Sequence, residues 1–221
     1  MAKTMGAVMG NNMEEEIILE TERLALRRLR RADYADLCLM LKDEEVMYAY
    51  EHAFEDWEAA DWLDRQLMRY EKYGFGLWAV ILKETGVLIG QCGLTMQEAG
   101  EREVLEVGYL FRKDFWHCGY ALEAAAACRD YAFEKLGAEE VYSIIRDTNA
   151  PSRAVADVYK RQVQYHACKM GAACGPAVVR VGTAHHIPFS ELYKPSDRRA
   201  DGKDLYQRLS EFGGSSIRRY Q

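Results

Sequence analysis

Leu110-Phe111-Arg112-Lys113-Asp114-Phe115-Trp116-His117-Cys118-Gly119-Tyr120-Ala121 leads from an apolar run through a glycine into a helical pattern. The first turn of a helix presents unpaired N–H groups and the positive end of the helix dipole. Gly119 removes the Cβ atom that would keep a ligand's phosphates from those groups, so a pyrophosphate fits there. A single glycine ahead of a helix is equally an ordinary turn, and its neighbours have to decide between the two.

Upstream, Val104 to Phe111 alternates, with Leu105, Val107 and Tyr109 on one face and Glu106 and Gly108 on the other, which predicts a strand. Downstream, Ala121, Ala125, Cys128, Ala132 and Leu136 recur at helical spacing, Gly137 supplies the stop, and Val141 to Ile145 predicts a further strand. Towards the N-terminus, Leu77 to Leu82 and Val87 to Gly90 flank the polar turn Lys83-Glu84-Thr85-Gly86, the pattern of a hairpin. A helix is expected from about Glu55 to Tyr70, with Ala59, Leu63 and Leu67 on one face and Gly74 ending it. An earlier helix carries Leu37, Met40 and Leu41, with Asp33 as its cap and Asp36 completing a weakened capping box. Ile17 to Leu19 and Leu24 to Leu26 read as short extended pieces. The order strand, two helices, hairpin, strand, helix, strand fits an α/β chain of the mixed-sheet, α+β kind.

Composition narrows the class. The 221 residues hold 29 Lys and Arg against 35 Asp and Glu, a net charge of −6, which argues against nucleic acid as a partner. No run of about 18 apolar residues is present, and Met1 to Met13 lacks a secretory apolar stretch, so a cytoplasmic protein without a membrane partner is expected. Cys38, Cys92, Cys118, Cys128, Cys168 and Cys174 are irregularly spaced, and they read as reduced thiols, several buried. His185-His186 has no ligand-spaced carboxylate or cysteine beside it, so no metal is expected.

Trp116-x-x-Gly119-x-Ala121 followed by Glu123-Ala124 resembles the coenzyme A loop of the GNAT N-acetyltransferase superfamily, nearest its ribosomal-protein and small-amine branch. The same resemblance runs through Glu20-Thr21-Glu22-Arg23-Leu24-x-Leu26-Arg27, Gly86-x-Leu88-Ile89-Gly90, Glu106-Val107-Gly108-Tyr109 and Asn149-x-x-Ser152, in the family's order. It implies an acyl-CoA N-acyltransferase fold whose two central strands splay to admit acetyl-CoA, and transfer of acetyl to a primary amine, either a protein N-terminus or a small molecule. On that resemblance Trp116, His117, Cys118, Gly119, Tyr120 and Ala121 wrap the pyrophosphate, and Leu110 and Phe111 meet the acetyl and pantetheine portions. Asn149 and Ser152 give a second cofactor contact, although Ser152 is also a sensible helix N-cap. Glu106 is the carboxylate placed to take the amine's proton, a backbone N–H near Leu110 holds the oxyanion, and a solvent-facing strand glutamate is the plainer alternative for Glu106. Arg112 and Lys113 are candidates for an outer phosphate or are simply solvated. Tyr34, Tyr48, Tyr50, Trp57 and Trp62 fall on the early helices that in the family cover the acceptor.

The resemblance covers residues 16–157, preceded by a flexible arm over residues 1–15. Lys160-Arg161 stands where the family pattern has a Gly-Phe pair, and residues 158–221 are unassigned, foreign or rebuilt. Asp157-Val158-Tyr159-Lys160-Arg161-Gln162 looks like translated adapter sequence, and the composite reading is preferred over a rebuilt end. Gly175 to Val181 suits a strand, Asp204 to Phe212 a short helix, and Ile187 to Leu209 faintly resembles the end of a lipid-type acyltransferase without its catalytic His and Asp. Because the family's last strands wall the acceptor pocket, a non-catalytic acyl-CoA-binding or defective domain is the alternative function.

Overall fold

The computed structural model describes residues 16–50, 52–99, 102–146, 149–159, 163–166 and 176–181. In chain order these form β1 (Ile17–Glu20), β2 (Leu24–Arg28), α1 (Tyr34–Leu41), α2 (Glu44–Met47), α3 (Asp56–Tyr73), β3 (Leu77–Leu82), β4 (Val87–Ala99), β5 (Arg102–Phe111), α4 (Tyr120–Glu134), β6 (Val141–Arg146), α5 (Ala150–Tyr159), β7 (Val163–His166) and β8 (Pro176–Val181). They build one mixed sheet in the order β1-β2-β3-β4-β5-β6-β8-β7. Neighbours run antiparallel throughout, except that β5 and β6 are parallel.

Alternation along β4 assigns the two faces, since adjacent residues of a strand point to opposite sides. Cys92 meets Cys128 of α4 at 3.5 Å on one face, while Gln91 accepts from Trp62 Nε1 of α3 at 3.1 Å on the other. Burial of Trp78, Val80, Leu94 and Val107 beneath α4, and of Leu37, Met40, Leu63 and Ala59 in α1 and α3, gives one continuous core. The described cysteines are free thiols, with Cys92 and Cys128 buried, Cys38 half-buried and Cys118 exposed.

α3 is fixed at both ends by its own sequence. Glu58 accepts from the Glu55 N–H at 2.8 Å in a reciprocal capping box, and Gly74 ends the helix in the left-handed region at φ 79°. Its buried stripe is Ala59, Leu63, Gln66 and Tyr70, and the Tyr70 hydroxyl accepts from the Leu29 N–H at 3.0 Å and donates to the Leu77 carbonyl. One phenol thus ties the exit of β2 to the entry of β3, and burial holds it far above the ordinary tyrosine range.

Several expectations are corrected. The Asp33 side chain accepts from no N–H of α1; its carboxylate is buried and accepts hydrogen bonds from Arg27 Nη1 and Nη2 at 2.7 and 2.8 Å and from the Arg30 N–H at 2.8 Å. β4 does not end at Gly90 but continues to Ala99. Gly90 and Gly93 are there because the sheet is crowded: an added Cβ would meet Phe111 Cδ1 at 2.5 Å and the Gly76 carbonyl oxygen at 2.1 Å respectively. α2, capped by Asp43 on the Glu45 and Val46 N–H groups, and β7 had no periodic signal to announce them. The 1–15 arm, Cys168, Cys174, His185-His186 and the helix expected at 204–212 lie outside the described residues. Among the described residues no helix is long and apolar enough to cross a membrane.

Candidate active site

β5 and β6 share a single register pair, Glu106 with Tyr142. Past it, side chains take the place of the ladder. Ile144 N–H donates to Glu106 Oε1 at 3.1 Å, and Ser143 Oγ donates to the Val107 carbonyl at 3.2 Å. The strands therefore separate from Glu106 onward, and the splay implied by the sequence lies between β5 and β6. Glu106 sits at its apex.

On β4, Thr95 pairs in register with Glu106 and its hydroxyl donates to Glu106 Oε2 at 3.1 Å, while Gln97 Nε2 donates to the Thr95 oxygen at 3.1 Å. Burial raises the Glu106 carboxyl above the ordinary carboxylate range, opposed by these hydrogen bonds and by the attraction of the Arg69 guanidinium. Glu106 is nevertheless only half-buried by accessible surface. A carboxylate that is costly to charge and still reachable is suited to receiving a proton.

Two residues beyond Glu106 on the same face, Gly108 leaves the floor open: an added Cβ would find only Leu77 Cδ2 at 3.4 Å and Glu106 Oε2 at 4.0 Å. Leu110 continues this face and is half-buried; Phe111 points the other way, 5% exposed. The cover comes from the α1–α3 region, where Tyr50, Phe54 and Trp62 meet edge-on or tilted at centroid distances of 5.8 to 6.3 Å. Tyr34, with its hydroxyl on the Asp56 carbonyl, and Trp57, 71% exposed, stand away from that cluster.

The loop from β5 to α4 has its own frame. Trp116 Nε1 donates to the Phe111 carbonyl at 2.9 Å, which folds the loop back on the strand end. His117 at φ 62° and Gly119 at φ 79° both adopt left-handed backbone. An L-residue held there is uncommon, and paired with the bare N-terminus of α4 it makes a concave arrangement of N–H groups of the kind that binds anions. Tyr120 and Ala121, both half-buried, form the first turn of α4.

Behind the loop lies a junction that sequence reading did not pick out as functional. Glu123, 2% exposed, accepts from Thr21 Oγ1 at 2.5 Å, from the Arg23 N–H at 2.9 Å and from Arg23 Nε at 2.6 Å. Arg23 Nη1 continues to the Cys118 carbonyl at 2.9 Å, and its guanidinium lies over the Tyr120 ring at 4.4 Å. The signal was present, since Thr21, Arg23 and Glu123 all belong to the quoted motifs, but nothing in one dimension says that they touch.

Asn149, not Ser152, caps α5: its Oδ1 accepts the Ser152 N–H at 3.0 Å, and it also accepts the Tyr48 hydroxyl at 2.6 Å. Ser152 is half-buried one turn in, and its carbonyl accepts the Tyr109 hydroxyl at 2.9 Å. Lys113 is engaged by Asp43 and Glu45 at 3.4 and 3.3 Å, and Arg112 by Asp114 at 3.3 Å. Among the described residues no three His, Cys, Asp or Glu side chains cluster as a metal ion requires. Among the described residues an added Cβ at Gly119 would meet only Arg23 Nη2, at 3.4 Å, so a guanidinium stands beside the turn and a pyrophosphate such as coenzyme A carries would find donors of both kinds there.

A family model described as acetyltransferase (GNAT) domain matches residues 23–158. The chain is 34% identical over 146 residues to the uncharacterised protein YkkB of Bacillus subtilis (strain 168), covering 66% of this chain and 85% of that protein. It is 33% identical over 138 residues to the uncharacterised N-acetyltransferase p20 of Bacillus licheniformis, covering 61% and 76%. Among solved structures it resembles an acetyltransferase from Agrobacterium tumefaciens str. C58, with a TM-score of 0.64 and 27% identity over 76% of this chain and 94% of that one. The RimL ribosomal-protein acetyltransferase in complex with coenzyme A shares the fold at 16% identity, TM-score 0.60, over 75% of this chain and 96% of that one.

Proposed function

The chain belongs to the GNAT acetyltransferase family, and from that premise we propose that it transfers acetyl from acetyl-CoA to a primary amine by direct attack on the thioester. The observation that carries this reading is the separation of β5 from β6 at Glu106, which leaves a reachable carboxylate at the apex of a cleft. Acetyl-CoA supplies an activated acyl carbon and a thiol leaving group. Glu106 takes the proton that makes the incoming amine nucleophilic, directly or through water. A backbone N–H near Leu110, at the free edge of β5, receives the charge that develops on the carbonyl oxygen. The loop from Trp116 to Ala121 holds the pyrophosphate on its N–H groups, with Leu110 beside the acyl end and only the backbone of Phe111, whose ring is buried on the other face, following it. Asn149 and Ser152, at the start of α5, close the other side of the cleft. A metal has no part in this scheme, and the site faces an aqueous compartment, taken as the cytoplasm.

The test is calorimetric titration with acetyl-CoA beside thiol-release assays on an amine panel. Saturable binding is expected, lost in Gly119→Asp, whose charge and side chain occupy the pyrophosphate position. Turnover is expected to collapse in Glu106→Gln while binding persists. Binding by the parent chain without turnover on any amine, unaffected by Glu106→Gln, would instead assign a non-catalytic acyl-CoA-binding domain.

A further inference from the structure

The cleft above Gly108 holds two opposite charges that are not joined to each other. Arg69 projects from α3 with its Cβ beside Gly76, where an added glycine Cβ would meet it at 3.4 Å. Its Nη1 donates to Gln66 Oε1 at 3.1 Å, and that oxygen also accepts the Leu77 N–H at 3.3 Å. Leu77 in turn reaches over Gly108 towards Glu106. Arg69 therefore stands on the Glu106 side of the sheet, and the two charges attract across the cleft without a hydrogen bond between them.

Among the described residues Arg69, like Arg28 over the Tyr70 ring, closes on no carboxylate, and Arg69 is the one that stands on the Glu106 side of α3. Arg23, Arg27, Arg31, Arg65, Arg112 and Arg129 each close on a carboxylate. Among the described residues, the hydrogen bond of Arg69 is to a neutral amide, and most of its five donors are left over. Half-burial of a guanidinium on such terms loses hydration with little return. Tyr50 completes the enclosure. The residue keeps 37% of its surface, and burial first and the Glu106 charge second push its hydroxyl up to about 12. Its ring meets Trp62 at 5.8 Å, and Trp62 in turn donates to Gln91 on the face of the sheet that carries Glu106.

We infer that the acceptor is an amine that also carries a carboxylate, an amino-acid-like zwitterion whose nitrogen faces Glu106 while Arg69 takes its acid group. This rests on the acetyl-transfer reading of the site. The ammonium gives one proton to Glu106 and the nitrogen forms the C–N bond to the acetyl carbon; as the C–S bond breaks, the nitrogen's second proton passes to the departing thiolate, so coenzyme A leaves as its thiol, the product is a neutral amide, and Glu106 returns its proton to solvent. The product keeps its carboxylate but has lost the positive charge that faced Glu106, which favours release. A polyamine fits poorly, because its second ammonium would be set against Arg69. The tilted rings of Tyr50, Phe54 and Trp62 supply an apolar wall for the carbon skeleton.

The experiment compares matched pairs, leucine against leucinamide and phenylalanine against phenylalaninamide, with spermidine alongside. Binding is measured by calorimetry on the chain saturated with coenzyme A, and kcat/KM by thiol release. The acid member of a pair is expected to be preferred by roughly 10- to 100-fold, the worth of a charge-assisted hydrogen-bond pair. Arg69→Met should erase that preference and leave the acetyl-CoA dissociation constant unchanged, and Arg69→Lys should restore part of it. Equal or better use of the amides or spermidine overturns the inference, as does a preference that survives Arg69→Met. So does failure of every pair to bind a chain that does bind acetyl-CoA, which leaves the cofactor site standing. Arg69-dependent discrimination by a chain that transfers no acetyl would support this inference and refute the enzymatic reading. Should Arg69→Met not fold, the Lys variant still decides through its intermediate preference.

Discussion

Replacing Glu123 by alanine probes both stability and the cofactor loop. Its carboxylate is 2% exposed and accepts from Thr21 Oγ1, the Arg23 N–H and Arg23 Nε at 2.5, 2.9 and 2.6 Å, with Arg23 Nη2 also at 2.6 Å. Breaking a fully buried pair by deleting one partner costs about 3–5 kcal/mol. Here the Arg23 side chain is 32% exposed, so the abandoned guanidinium regains water and the cost falls to about 2–3 kcal/mol. Loss of a carboxylate from the first turn of α4 adds about 0.5 kcal/mol through the helix dipole. A total near 3 kcal/mol lowers Tm by roughly 6–12 °C for a chain of this size. Because Arg23 also holds the Cys118 carbonyl, the loop should loosen as well, and about 1 kcal/mol of lost order appears as a roughly fivefold rise in KM for acetyl-CoA with kcat little changed. Differential scanning fluorimetry and steady-state kinetics on the same preparations give both readouts. A Tm within about 2 °C of the parent refutes the energetic reasoning; a large Tm drop with an unchanged KM refutes the link to the loop.

Glu106→Gln should cut kcat by about 10²- to 10⁴-fold, the usual worth of a positioned base. The same variant should be more stable than the parent at neutral pH: a carboxyl raised by folding destabilises the native state once pH climbs from the unfolded value through the folded one, and the amide carries no such penalty. The advantage should vanish below about pH 4 in thermal melts, where both states hold the proton. The acidic limb of the parent's kcat profile should correspondingly lie above the ordinary carboxylate range, and a limb inside that range contradicts the assignment. Gly93→Ala should abolish folding, because its Cβ would lie 2.1 Å from the Gly76 carbonyl oxygen, whereas Gly108→Ala has room to fold and should weaken the acceptor KM by filling the cleft floor; circular dichroism and kinetics separate the two. Asn149→Ala should cost about 1 kcal/mol through the lost α5 cap, read as a Tm drop of a few degrees.

Alternation along Val104 to Phe111 and the glycine ahead of α4 were enough to place Glu106 on the face opposite Leu105, Val107 and Tyr109 and Gly119 at a helix start, since period and left-handed backbone are local properties of a chain. Helix ends at Gly74 and Glu55 were legible for the same reason. What the tertiary structure alone decided is who meets whom across the sheet. Thr95 reaches Glu106 only because β4 runs on to Ala99, and Gly90, which suggested a strand end, turns out to be a point of close approach. Asp33 reads as a helix cap until Arg27, six residues earlier and on a strand, claims its carboxylate. Glu123 stood in a quoted motif with nothing to say what it meets, and Arg69 carried no signature, because their roles come from partners a hundred residues away or from a cleft that exists only once β5 and β6 part. A sequence fixes periodicity and backbone freedom residue by residue, whereas burial, charge pairing and the shape of a cleft are sums over the whole packed chain.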